Sequence, residues 1–293
     1  MNQQEKTNTI VAMMYDFDKT LVTKDMQEFT FIPKVSLEPS EFWAMSNTLA
    51  ADNKMDAILA YMYCMLKEAK YREVQITHDA FVELGCDLEY YPGVESWFER
   101  INRYCEDLAI TVEHYIISSG LREIIEGSSI YSNFKEVFAC EFLYDANKVA
   151  IWPKNVVNYT TKTQFVFRIN KGVLDLSDDN SLNKYTPEDD RPIPFRNMIY
   201  IGDGLTDVPC MKLVKVNGGY SLAVYTDKSK VQELIKYGRV NFVAQADYSE
   251  GSELDELIKD VLIKISTEDK LAKKSKKQNE ESCKCLARKY TYF

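Results

Sequence analysis

The sequence predicts an α/β fold built on a mainly parallel sheet. Three observations point to it. Apolar runs that read as strands buried on both faces recur along the chain, at "NTIVAMMYDF", "VEHYIISSG", "NMIYIGDG", "YSLAVYT" and "VNFVAQAD". Segments with helical spacing alternate with them. The first three runs also end alike, placing Asp16 and Asp18, Ser118, and Asp203 at strand ends. In open parallel sheets the carboxyl ends of the strands are where functional side chains collect.

Each element has its own local signal. After the first strand, residues 25 to 90 turn to Met, Tyr, Ala, Glu and Lys at helical spacing, an all-helical block inserted before the second strand. Within it "NKMDAILAYMYCMLKEAKYR" is an amphipathic helix with Ile58, Tyr61, Met62 and Met65 on one side, a stripe read as core. His78 falls at a helix start, and Pro92-Gly93 breaks the pattern before a helix that begins at Val94. His114 precedes the apolar "YIIS" as a strand-start residue, and "LREIIEG" is a helix closed by Gly127. "FKEVFACEFLYDANKVAIWP" reads as two strands around Asp145-Ala146-Asn147. "TKTQFVFRIN" is a short helix, and residues 175 to 195 are a polar, Pro-rich surface loop. "PCMKLVKV" is another helix. The final "KLAKKSKKQNEESCKCLARKY" is a charged helix or tail. The domain reading is therefore residues 1–24 and 91–271 as the α/β core, 25–90 as an inserted helical unit, and 272–293 as a charged tail.

Composition narrows the function. The chain has 293 residues, 45% of them hydrophobic, and a formal net charge of -9, so a sizeable core forms and nonspecific nucleic-acid binding is disfavoured. The seven cysteines are scattered, which suits reduced thiols in the cytoplasm. Only Cys283 and Cys285 lie close together, with too few ligands nearby for a metal site. The opening "MNQQEKTNTI" lacks the apolar core of a signal sequence, and no apolar run is long enough to span a membrane. With two histidines, His78 and His114, the chemistry falls to acids.

Asp16, Asp18, Asp203 and Asp207 bring four carboxylates together. Like charges at that spacing repel unless a cation intervenes. An all-oxygen ligand set favours a hard cation, and Mg²⁺ fits best because it keeps waters and pairs with phosphate.

"DFDKT" resembles the first motif of the haloacid dehalogenase-like superfamily in its phosphatase branch, "YIISSG" the second and "YIGDGLTD" the fourth. The resemblance implies a Rossmann-like core with helices on both faces, a Mg²⁺ ion and an aspartyl-phosphate intermediate. The insertion at 25–90 is similar to the helical C1 cap of the phosphoserine phosphatase-like group. Carried over residue by residue, Asp16 is the nucleophile. Asp18 is the general acid, then the base that activates water, with its backbone carbonyl on the metal. Ser118 and the Ser119 backbone N–H bind the phosphoryl group, and Asp203 completes the metal site with Asp207 beside it or bridging through water. The site lysine is Lys162 or Lys171. Lys162 opens a helix, where the dipole disfavours a cation and a bland role explains it poorly. Lys19 reads as solvent-facing, and Asp25 as either the acid that holds a substrate amine or a helix cap. The expected function is a cytoplasmic Mg²⁺-dependent phosphomonoesterase acting on a small phosphorylated metabolite, with neither nucleic acid nor membrane as partner. A phosphotransferase using the same intermediate, or a noncatalytic protein binding metal or a phosphorylated ligand, are the alternatives.

Overall fold

A computed structural model of the chain describes residues 9–290, without the side chains of 189, 280 and 283–290. The side chains of Cys283 and Cys285 thus lie outside what it describes, as do residues 1–8 and 291–293. Its centre is a seven-stranded sheet in the order β4-β3-β2-β1-β5-β6-β7. The strands are β1 (Thr9–Tyr15), β2 (Ile110–Leu121), β3 (Phe134–Tyr144), β4 (Ala150–Asn155), β5 (Met198–Gly202), β6 (Tyr220–Tyr225) and β7 (Phe242–Gln245). All neighbours are parallel except β3 and β4, which form a hairpin. β1 sits centrally, its Tyr15 aligned with Ile116 of β2 and Ile201 of β5. From Val11 to Tyr15 it is wholly buried, as an apolar run without alternation requires.

Between β1 and β2 the chain forms α1 (Met26–Phe29), α2 (Phe31–Lys34), α3 (Pro39–Asn53), α4 (Ala57–Tyr71) and α5 (His78–Leu84), then α6 (Val94–Glu106). α4 begins where Asp56 accepts hydrogen bonds from the N–H groups of Ile58 and Leu59. It buries Tyr61, Met62 and Met65, while Ile58 is only partly covered. The chain enters and leaves this block side by side: Val22 bridges Tyr90, Thr23 N–H donates to Glu89 O and Tyr91 N–H to Leu21 O.

After β2 come α7 (Arg122–Glu126), α8 (Lys162–Lys171), α9 (Asp179–Asn183), α10 (Val208–Val216), α11 (Gln232–Lys236) and α12 (Glu253–Tyr290). Gly127 does follow α7, but with φ of -80° it is not a left-handed cap. It is glycine because a Cβ there would lie 1.7 Å from the Val82 carbonyl oxygen, so it lets α5 lie tightly on α7. His114 is not at the start of its strand, because β2 begins four residues earlier, at Ile110. Its buried ring faces Tyr15 OH and Asn102 Oδ1, each at 3.1 Å, and burial pushes its pKa down to about 3, so it is neutral.

Residues 175–195 are more ordered than a plain loop. They contain α9, and the buried Arg168 guanidinium donates to Asp175 O and Leu176 O. α8 carries this segment to the amino edge of the sheet, where Arg191, Pro192 and Pro194 border a cavity with Thr9 and Ile10 at the start of β1. That end of the segment therefore lies at the opposite edge from Asp16, while Asp175, Leu176 and Ser177 border a second cavity with Arg122, Glu136 and Lys154. The charged C-terminal stretch continues α12 without a break at residue 271. α12 is fastened by Arg100 to Asp255 (2.8 Å) and by Thr9 Oγ1 to Asp269 Oδ2 (2.7 Å). No described helix is long and apolar enough to cross a membrane.

Candidate active site

The site is assembled where β1, β2 and β5 end. The Asp16 N–H still donates to Ile201 O (2.9 Å), holding the residue after β1 against β5. The chain then turns over Phe17, whose carbonyl accepts from Leu21 N–H (2.9 Å), with Lys19 in the left-handed region at φ 57°. β5 delivers Asp203, and the turn Leu205–Asp207 folds Asp207 back beneath it. Gly202 makes this possible, since a Cβ there would sit 2.5 Å from Asp207 Oδ2.

Lys162 arrives from the first turn of α8. Asn158 Oδ1 accepts the N–H groups of Thr160 and Thr161, and its carbonyl accepts Lys162 N–H, which starts the helix at that residue. The Lys162 ammonium is 1% exposed and bridges Asp16 Oδ1 (2.7 Å) and Asp207 Oδ1 (2.8 Å). Burial alone would lower its pKa, but the Asp16 and Asp207 charges outweigh that and raise it, so the lysine is held protonated. Lys171 is at the far end of α8, donating to the carbonyls of Leu182 and Lys184.

Asp16, Asp203 and Asp207 each offer one carboxylate oxygen, all within 4.8 Å of one another. Burial, then repulsion from Asp207, pushes the Asp16 carboxyl up to about 8 against the pull of Lys162. The same two causes raise Asp203 to about 6. Asp207 is fully buried. Its Oδ1 takes both Lys162 and the Tyr200 hydroxyl (2.8 Å), while its Oδ2 has no partner. A buried carboxylate with one orphaned oxygen, grouped with two other acids, is what a hard, oxygen-liganded cation would satisfy, so the residues fit Mg²⁺.

The Asp18 carboxylate is not part of that trio. Its Oδ1 accepts the Met26 N–H at 2.8 Å. Burial, then the Asp25 and Asp16 charges, raises its pKa well above the ordinary value, so the carboxyl favours its protonated form. Ser118 is fully buried, and its Oγ accepts the Gly120 N–H (2.9 Å). The Ser119 carbonyl accepts the Tyr61 hydroxyl (2.8 Å), so the helical block reaches the β2 end through one side chain of α4. Asp25 stands at the N-cap position of α1 but makes no capping bond; its carboxylate is paired with Lys19 Nζ at 2.5 Å. Lys19 is accordingly half-exposed and ion-paired rather than simply solvent-facing.

Two residues at this site lack a local sequence signal for it. Tyr61 sits in a stripe that reads as core. Tyr200 lies in an otherwise aliphatic strand, and a buried phenol must find a partner, which was the available clue. Tyr200→Phe keeps the shape and removes one bond to a charged acceptor. It should cost about 1.5–3 kcal/mol of stability in urea unfolding, and an unchanged midpoint would show that the hydroxyl contributes nothing.

A family model described as haloacid dehalogenase-like hydrolase matches residues 13–212, and the chain belongs to that family. Its relatives include a Borreliella burgdorferi protein described as uncharacterized, 28% identical over 284 residues, covering 87% of this chain and 96% of that one. Among solved structures, a substrate-bound phosphoserine phosphatase complex is similar, with a TM-score of 0.55 at 13% identity over 86% of this chain and 98% of the other. A haloacid dehalogenase-family hydrolase from Salmonella enterica serovar Typhi superposes with a TM-score of 0.54 at 13% identity, over 86% of this chain and 70% of that chain. These structural likenesses carry the fold: a Rossmann-like sheet with helices, as the sequence motifs imply.

Proposed function

We propose that this hydrolase is a Mg²⁺-dependent phosphomonoesterase acting on a small phosphorylated metabolite through an aspartyl-phosphate on Asp16. The observation that carries the reading is the buried Asp16 carboxylate, held by Lys162 beside Asp203 and Asp207, with a second acid, Asp18, whose carboxyl favours the protonated form.

In the first step an Asp16 carboxylate oxygen attacks phosphorus and the bond to the leaving oxygen breaks. Asp18 gives its proton to that oxygen. In the second step the Asp18 carboxylate takes a proton from water, the water oxygen attacks phosphorus, and the Asp16–phosphorus bond breaks, restoring the carboxylate and releasing phosphate. Lys162 keeps Asp16 oriented and offsets the charge of the transferring group. Ser118 and the Ser119 N–H bind the phosphoryl oxygens. Asp16, Asp203 and Asp207, with the Asp18 backbone carbonyl, would hold Mg²⁺, which when bound supplies electrostatic stabilisation of phosphoryl oxygens. Residues 25–90 act as the cap over this edge of the sheet. The described cysteines, all free, suit the cytoplasm.

The test is a phosphate-release screen over phosphorylated metabolites in Mg²⁺, Ca²⁺ and EDTA. Turnover should appear with Mg²⁺, vanish in EDTA and be suppressed by Ca²⁺, which prefers more ligands at longer bonds and would misplace Asp16. Full turnover in EDTA would remove the metal from the reading.

A further inference from the structure

Tyr61 is a buried phenol with no part in the chemistry of Asp16 and Asp18, yet it touches the end of β2 that carries Ser118. Its hydroxyl comes from α4, in the inserted helical block, and donates to the Ser119 carbonyl at 2.8 Å. The Cys140 thiol on β3 donates to the same carbonyl at 3.3 Å. Across that peptide bond, Gly120 N–H donates to Ser118 Oγ at 2.9 Å. The unit is planar, so its carbonyl cannot turn without turning its N–H. The bond from Gly120 occupies a lone pair of Ser118 Oγ, and no acceptor for the Ser118 hydroxyl hydrogen is found among the described residues. The peptide has little room to shift, since a Cβ on Gly120 would lie 2.2 Å from Met26 Cε and 2.9 Å from Asp18 Oδ2. Tyr61 is itself held in place. Its ring is buried and meets Trp43 edge-on at 6.1 Å, and Trp43 Nε1 donates to Glu28 Oε1 of α1. α4 is also pinned at its start, where Asp56 Oδ2 accepts Asn158 Nδ2 at 2.9 Å, just ahead of Lys162.

We infer that Tyr61 is a positioning residue for phosphoryl transfer. It sets the Ser119–Gly120 peptide so that Gly120 N–H engages Ser118 Oγ and leaves the Ser118 hydroxyl hydrogen for a phosphoryl oxygen. This rests on the phosphomonoesterase reading, in which Ser118 binds that group. It adds a part for the helical block beyond covering the site, because the phosphate contact is complete only with α4 seated. Such a residue acts through geometry alone, and a small misplacement at a reacting centre costs up to about a hundredfold.

The experiment is a double-mutant cycle of Tyr61→Phe and Ser118→Ala. It is read in kcat/KM for p-nitrophenyl phosphate with Mg²⁺ and in calorimetric affinity for inorganic phosphate. Phenylalanine keeps the ring and removes only the hydroxyl. With Ser118 present, Tyr61→Phe should lower both quantities by about tenfold or more, the scale of one bond to a charged oxygen. In the Ser118→Ala background the same change should cost less than about threefold, because the group it positions is gone. A merely structural Tyr61 lowers the melting temperature and costs the same factor in both backgrounds. That additivity, or a Tyr61→Phe protein within about twofold of wild type, overturns the proposal. The two readouts also separate it from the hydrolase reading. Coupled losses in phosphate affinity, with no ester of the screen turned over, keep Tyr61 as the residue that positions Ser118 and remove the hydrolase. Turnover with additive losses keeps the hydrolase and removes the proposal. Neither turnover nor phosphate binding removes both.

Discussion

Asp16→Asn is expected to lower phosphate release by at least about three powers of ten, because an amide does not attack phosphorus and removal of a nucleophile costs on that scale. The fold should survive, since Asn is nearly isosteric and its amide oxygen still accepts from Lys162. Stability supplies a second readout. The Asp16 carboxyl is raised in the folded state from its ordinary 3.8 to about 8. Its contribution is therefore fully present below the unfolded value and is lost as pH rises through the folded one. Asp203, raised to about 6, adds to the decline in the same direction. In EDTA the wild-type melting temperature should fall between about pH 4 and pH 8, and Asp16→Asn should fall less steeply. Wild-type-like phosphate release by Asp16→Asn would take Asp16 out of its role. A pH slope steeper than wild type would contradict the repulsion argument.

Lys162→Met should be the most destabilising single change at the site. It deletes a buried cation and leaves the acids around it without their counter-charge. Breaking such a pair from one side costs about 3–5 kcal/mol. Urea unfolding in EDTA should show that loss, and Mg²⁺ should restore part of it by taking over the neutralisation. Activity should be lost as well. A change under about 1 kcal/mol, the scale of an exposed ion pair, would mean that Lys162 is not the charge that holds the cluster together.

Much of this was visible in the chain because it depends on local rules. Strands buried on both faces are read from unbroken apolar runs, and β1, β2 and β5 appear where those runs lie. The acids at their ends were visible because a carboxylate after such a run needs a reason to be there. Lys162 stood out against the helix dipole, and its ammonium is found between Asp16 and Asp207. What escaped depends on contacts between distant residues. The bond from Tyr61 to the Ser119 carbonyl spans 58 positions, and nothing in a Met- and Tyr-rich stripe marks which hydroxyl will reach out of it. Lys19 pairs with Asp25 only because the turn at 57° in φ swings its side chain toward α1. The segment 175–195 read as a loop from its prolines, while the order it has is imposed by Arg168 from a neighbouring helix.

If residues 25–90 cover the site as proposed, the side-by-side crossing of the chain at Val22 and Tyr90 is where that cover would turn. Two backbone strands lying together form one line of rotation, like a door hung on a single jamb. A swing about that line leaves the central sheet intact. It does have to release the Tyr61 hydroxyl from Ser119 and the Met26 N–H from Asp18. The first is a latch on the loop expected to grip phosphate, and the second is a bond that favours the ionised form of the acid–base residue. The burial and the Asp25 charge that raise the Asp18 pKa outrank that bond, so were residues 25–90 to swing away, Asp18 would be readier to ionise, and closure would return it to the protonated form that the proposed first step requires.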